Sequence, residues 1–268
     1  GKFTTGMKHT QSTMDNVYDG DALTKVSMNT AETSFFAEYQ SKVGKLNYTL
    51  GMGALRTFYK QGNTSQEKYF FRPTLNLSYS LGKVFLRYNA SMSGYAPSLS
   101  ALSNVEQSMD AYQVRRGNPN LKSVTYFTNR LSASYRNKWM NVDMSARYSY
   151  DDKPIMEETI YEDGKFVRTY ANQKGLHRLM CQTSIQVRPF KEYLSINMTP
   201  FFNRYISQGN AYLHTHSNWG FRGSIVGMYK HWVFMADLNT SYHDLEGETI
   251  SKGETYHTIA LGYNKEKW

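Results

Sequence analysis

The chain has 268 residues, a formal net charge of +9 and 22 tyrosines, with 15% of its residues aromatic, yet its mean hydropathy is only -0.61. No apolar run approaches the ~18 residues that a helical membrane span requires, and the single cysteine, Cys181, excludes an internal disulfide and a cysteine-based zinc site. The 31 lysines and arginines are scattered through turns and alternate positions rather than gathered in one basic stripe, which argues against nucleic acid as a partner.

In chain order, Gly1-Lys2-Phe3-Thr4-Thr5 already reads as strand, so no signal peptide opens the sequence. Strict two-residue alternation follows. From Tyr69 to Ser80, Tyr69, Phe71, Pro73, Leu75, Leu77 and Tyr79 share one face, with Arg72, Thr74, Asn76 and Ser78 on the other. The pattern recurs after Trp139, where Met140, Val142, Met144, Ala146 and Tyr148 alternate with Asn141, Asp143, Ser145 and Arg147. It recurs again after Trp232. Twelve such segments are centred near residues 5, 36, 52, 75, 89, 130, 145, 181, 199, 224, 238 and 259. They run to about ten to thirteen residues, the length of a tilted membrane strand.

The connections alternate in length. Short turns fall at residues 42–45, 81–83, 136–138, 188–192 and 230–231, with a sixth at 264–267. Long loops are expected over residues 10–30, 59–68, 95–123, 151–174, 206–218 and 244–253. The loop 151–174 contains its own hairpin, turning at Glu162-Asp163-Gly164-Lys165. Short turns on one side and long loops on the other are the sidedness of an outer-membrane barrel, with periplasmic turns and extracellular loops. Aromatics flank the turns as an interfacial girdle does: Tyr79 and Phe85, Tyr135 and Trp139, Phe190 and Tyr193, Tyr229 and Trp232, Tyr263 and Trp268. The fold class is therefore all-β, an antiparallel transmembrane β-barrel with about 12 strands present, located in the outer membrane against lipid and lipopolysaccharide.

No residues are assigned to catalysis, a cofactor or a metal. His214-Thr215-His216 sets two imidazoles on one side of an extended segment, but no carboxylate or cysteine beside them completes a ligand set, and they read as an exposed loop pair. Nucleophile elbows and glycine-rich phosphate cradles do not occur, and His243-Asp244 point to opposite faces of a strand. Glu157, Glu158, Glu162 and Asp163 read as solvated charge on the outer hairpin. Arg72, Arg87, Arg130 and Arg147, interleaved with Asn, Ser and Thr, are the candidates to face the lumen.

One string goes further. Gly117-Asn118-Pro119-Asn120-Leu121-Lys122, just before an aromatic strand, resembles the Gly-Asn-Pro-x-Leu-Lys element of TonB-dependent outer-membrane receptors, although Ser123-Val124 stands where that family often continues Pro-Glu. The hairpin around Leu81-Gly82-Lys83 is similar to those of the Bacteroidetes branch. The resemblance implies that residues 1–268 are part of a 22-stranded barrel, with no plug domain recognisable and energy coupling reached through a missing N-terminal region. It further implies uptake of a scarce nutrient, such as an iron chelate, cobalamin, glycan or peptide, powered by a TonB complex. Tyr112, Arg115 and Arg116, in the longest loop, are then the candidates to contact the ligand. A passive outer-membrane pore or a surface-adhesion barrel is the alternative.

Overall fold

A computed structural model describes residues 1–18, 24–61, 64–190 and 192–265. The strands are β1 (Lys2–Tyr18), β2 (Thr24–Val43), β3 (Leu46–Gln61), β4 (Thr64–Phe71), β5 (Thr74–Leu81) and β6 (Val84–Tyr95). A loop then holds the short helix α1 (Leu99–Leu102), β7 (Gln107–Ser108) and β8 (Gln113–Arg115). There follow β9 (Val124–Arg136), β10 (Met140–Asp152), β11 (Ile155–Glu162), β12 (Lys165–Asn172), β13 (Gly175–Val187), β14 (Leu194–Gln208) and β15 (Leu213–Tyr229). The last are β16 (Trp232–Asn239), β17 (His243–Glu246), β18 (Thr249–Lys252) and β19 (Tyr256–Tyr263).

One sheet organises them. Its order β1-β2-β3-β5-β6-β9-β10-β13-β14-β15-β16-β19 is that of the chain, every neighbour antiparallel, and β4 continues β5 along β3. Those twelve positions coincide with the twelve alternating segments. The strand β4–β5 is broken on paper only by Pro73, which has no N–H for the ladder; Arg72 N–H still donates to the Gly53 carbonyl at 2.8 Å.

Register separates the two faces. The row Tyr88–Leu131–Ala146–Cys181–Phe202–Trp219 crosses six strands on one side. Its large members are open: Leu131 is 56% exposed and Trp219 76%. Ile259, at 78%, lies on the same side, opposite Ala236. Side chains that apolar would not face water in a folded chain; a hydrocarbon surround is their solvent. The neighbouring row Asn89–Arg130–Arg147–Met180–Asn203–Asn218 lies on the opposite, mainly polar side.

The two-residue turns are tight because Gly44, Gly82 and Lys230 adopt φ of 59°, 59° and 54°, the left-handed region that two-residue hairpins need. Girdle aromatics at the short turns are exposed, among them Trp139, Phe190, Tyr193, Tyr229 and Trp232. Phe85 is an exception. It is the cross-strand partner of Ser80 and Ser134 on the polar side, where the Arg87 guanidinium sits 5.3 Å from its ring. Trp268 and the end of the sixth turn lie outside the described residues.

The long connections correct the expectation most. Residues 10–30, 59–68 and 206–218 are largely strand, because β1 and β2 pair as far as Tyr18↔Thr24, β3 and β4 as far as Gln61↔Thr64, and β14 and β15 as far as Gln208↔Leu213. Above the membrane the ladder needs no apolar face, so Thr-, Ser- and Lys-containing stretches continue it without the alternation that betrays it lower down. Residues 244–253 likewise form most of the hairpin β17–β18, and residues 151–174 contain the hairpin β11–β12, turning through Asp163 and Gly164 at φ 50° and 78°.

Candidate functional site

Two regions on the polar side carry chemistry. The upper one is a cap. The loop after β6 comes back over the sheet, and its β8 adds in parallel to β12, giving a four-stranded sheet β11-β12-β8-β7. Beneath it, Ala101, Leu102 and Leu121 pack with Tyr59 of the wall, and Ile155 and Tyr170 close over them. This is a small hydrophobic core above a lumen rather than within a sandwich.

The Gly117–Lys122 string is the pin of this cap. Gly117 N–H donates to the Ser103 carbonyl at 2.7 Å and Asn118 N–H to that of Ala101 at 2.6 Å, tying the string to α1 and its exit. Any Cβ on Gly117 would sit 2.5 Å from the Ser103 carbonyl oxygen and nearer still to that of Ala101, so only glycine fits. The Asn118 amide donates to the Tyr170 carbonyl at 2.9 Å, while its side-chain oxygen receives Asn120 N–H. The Pro119 carbonyl accepts from Gln66 at 3.5 Å. Leu121 is 2% exposed, and Lys122 exchanges backbone bonds with the Asn172 side chain at 2.7 and 2.9 Å. Gly, Asn, Asn, Leu and the Lys backbone each therefore meet a different partner.

Of the ligand-contact candidates, Tyr112 is 71% exposed at the cap's edge. Arg115 and Arg116 are already engaged. Arg115 donates to the Tyr170 hydroxyl at 2.6 Å and lies 4.0 Å from Glu157; the Tyr170 bond raises its pKa further above the ordinary arginine value. Arg116 pairs with Glu162 and lies 4.0 Å from Glu106, while Arg168 shares Glu157. Sequence spacing separates these arginines from the hairpin glutamates by more than forty residues; the parallel pairing of β8 with β12 is what joins them. Glu157 and Glu162, read as solvated charge, are thus ion-pair partners, half-exposed and individually worth little. They stand in two clusters, Arg115 and Arg168 about Glu157 and Arg116 between Glu162 and Glu106, while Glu158 accepts a hydrogen bond from Gln173.

The lower region is the polar wall. Arg72 borders a shallow recess with Ser34, Glu38 and Thr74, and Arg87 one with Lys83, Arg136 and Asp143. Arg130 and Arg147 are direct cross-strand partners. Above them, Asp151 is 6% exposed and receives Arg178 at 2.6 Å, with Ser149 at 3.3 Å from the same guanidinium. Tyr205, fully buried, shares a 2.8 Å hydrogen bond with Tyr242.

The histidines are placed differently from expectation. His214 and His216 stand on strand β15, not in a loop. His214 stacks on Tyr212 with centroids 4.9 Å apart and lies 3.9 Å from Glu248. His216 Nε2 meets His243 Nδ1 at 3.1 Å, and His243 Nε2 meets the Ser241 hydroxyl at 3.0 Å. Desolvation, then the neighbouring His216 and Lys252, lowers the His243 pKa, so this imidazole is neutral at pH 7 and relays hydrogen bonds. Ser241-x-His243 was the available signal, since residues two apart share a face of an extended segment; the partner His216 could not be read without the register. Among the described residues, no group of three His, Cys, Asp or Glu side chains converges as metal ligands would.

The family model described as the outer membrane protein beta-barrel family matches residues 1–268. Compared with curated proteins, the chain finds no match. Among solved structures it is similar to the copper transporter OprC, with a TM-score of 0.69 and 8% identity, covering 97% of this chain and 48% of that one. The FrpB iron transporter from Neisseria meningitidis gives a TM-score of 0.59 at 9% identity, over 88% of this chain and 38% of that one. A ferric enterobactin receptor, PfeA of Pseudomonas aeruginosa, in complex with enterobactin, gives 0.55 at 13%, over 97% and 52%. The chain thus spans about half or less of the length of these structures, which are transporters and receptors rather than enzymes.

Proposed function

Because the chain belongs to the outer membrane protein beta-barrel family, we propose that it is the wall and extracellular cap of a TonB-dependent receptor that imports a scarce nutrient by energy-coupled uptake. The observation that carries this reading is the cap. A passive pore gains little from a loop pinned by the Gly117–Lys122 string to a hairpin, a short helix and the barrel wall, with its own apolar core. A receptor does gain, because a ligand platform held rigid loses less entropy on binding.

In this reading Tyr112 presents an exposed ring at the platform's rim, where a flat or amphipathic ligand can stack. Arg115 and Arg116 act through exchange, offering an anionic ligand the charge they now share with Glu157 and Glu162. Arg72, Arg87, Arg130 and Arg147 line the path below. A plug and a coupling segment would come from the portion of the protein beyond these residues.

The test is growth and radiolabelled uptake on candidate nutrients in cells carrying or lacking the inner-membrane coupling complex. Energy-coupled import predicts that uptake requires both the protein and the complex. Uptake that survives loss of the complex, together with steady single-channel conductance in a planar bilayer, would establish the passive pore instead.

A further inference from the structure

A pocket of about 190 Å³ opens on the polar wall below the Tyr205–Tyr242 pair. Three arginines line it, Arg130, Arg147 and Arg222, from strands β9, β10 and β15, together with Gln182, Asn203 and Tyr242. Among the described residues, none of the three guanidinium groups is in an ion pair, and no carboxylate lines the pocket. The other arginine-lined recesses on this wall differ: Asp143 accompanies Arg87, Glu38 accompanies Arg72, and Asp237 accompanies Arg222 where that residue borders a second recess.

Two features make this more than a solvated patch. Arg130 and Arg147 are directly opposed in the register, so their Cβ atoms stand about 5 Å apart, and like charges in such a pair repel. A third positive group, Arg222, is held on the Phe201 ring at 5.4 Å rather than turned away. In the same wall Asn203 is 2% exposed, and its Nδ2 has no hydrogen-bond partner, a buried donor left unsatisfied. Clustered cations and an orphan donor have one complement, an anion with several acceptor oxygens.

We propose that this pocket is a binding site for a small oxyanion, a phosphate or carboxylate group, held by the forks of Arg130 and Arg147 and by Arg222. Guanidinium forks match the two oxygens of such groups, and bound negative charge relieves the repulsion between the opposed arginines. The volume is below that of a pocket enclosing a whole drug-sized molecule, so it accepts a free oxyanion or the acidic end of a larger solute. The site extends the polar-wall assignment and is independent of energy coupling; it would serve an importer or a pore alike.

The protein, extracted from outer membranes in neutral detergent, is titrated calorimetrically at low, constant ionic strength with inorganic phosphate and, in a second arm, with acetate. Saturable binding in at least one arm is expected, and the stronger arm identifies the preferred oxyanion. Arg147→Gln should weaken it at least tenfold and Arg147→Lys by less, while Lys138→Gln, in a periplasmic turn, should leave it unchanged. Retained heat-modifiable gel mobility shows that each variant is folded, and Arg130→Gln supplies a second variant should Arg147→Gln misfold. No saturable binding in either arm, or binding that survives both glutamine substitutions, overturns the proposal. Because binding is read without transport, this failure is separate from that of the uptake experiment.

Discussion

Leu131 offers a direct measure of which face of the sheet meets lipid. It lies on β9, about five residues before the strand's end at Arg136, so roughly 17 Å along the strand from the periplasmic turn. With a tilt of about 40°, that is ~13 Å of height, near the middle of an apolar band about 25 Å tall. The side chain is 56% exposed, between Tyr88 and Ala146 in the cross-strand row. An arginine at the midplane of such a face costs about 2–4 kcal/mol. Leu131→Arg should therefore destabilise the barrel by about 3 kcal/mol, some two orders of magnitude in the folding equilibrium. Thr128→Arg, on the polar side of the same strand, should cost less than about 1 kcal/mol because its charge stays in water. Reversible denaturant unfolding of the protein in lipid vesicles, followed by tryptophan fluorescence, reads both. A Leu131→Arg variant within about 0.5 kcal/mol of the parent, or a Thr128→Arg variant equally damaged, would refute the assignment of faces.

Gly117→Ala drives a methyl group into the Ala101 and Ser103 carbonyls, so the cap should loosen while the barrel persists; hydrogen exchange should rise across residues 96–123 and 155–172 but not in β14 or β15. Arg178→Ala leaves Asp151, 6% exposed, without its cation, and should cost about 1–3 kcal/mol, the lower end reflecting Arg178's partial exposure; Arg178→Lys should recover part of the loss in the same unfolding assay. The lowered pKa of His243 contributes stability that is complete above the unfolded value near 6.5 and is lost as pH falls through the folded value. Amides of β17 and β18 should accordingly have lower protection factors, taken against intrinsic exchange at the same pH, at pH 5 than at pH 7, and His243→Gln should abolish that difference. Cys181, in the apolar row beside Ala146 and Phe202, should resist a charged maleimide in membranes and react with it once the protein is unfolded; prompt labelling of the folded protein would place it on the water side.

The membrane part of this molecule was legible because lipid imposes a pattern. Leu131, Met144 and Phe234 must alternate with Arg130, Ser145 and Asp237, since a shift by one residue would turn every charge into hydrocarbon. The twelve strands and the tight turns at Gly44, Gly82 and Lys230 follow from that constraint. Phe85 marks where the same logic errs. An aromatic beside a turn reads as girdle, yet parity with Arg87 sends it to the polar side, and counting residues from Arg87 would have revealed it.

Above the membrane both faces of a strand meet water or other loops, and nothing enforces alternation. His9 to Met14 and Met28 to Thr33 pair in register all the same, because the ladder depends on backbone groups that every residue carries. The cap was hidden for a stronger reason. Its sheet joins Gln113–Arg115 to Phe166–Arg168 in parallel, a contact across some fifty residues that no local period announces. Its consequence, that Arg115 and Arg116 meet Glu157 and Glu162, converts charges that look free into two ion-paired clusters with little net charge. The wall below behaves in the opposite way: Arg130, Arg147 and Arg222 line one pocket that no carboxylate lines. In the proposed reading, a ligand that reaches the lumen passes from a neutralised platform to an electropositive wall, and a field of that sign draws anions inward.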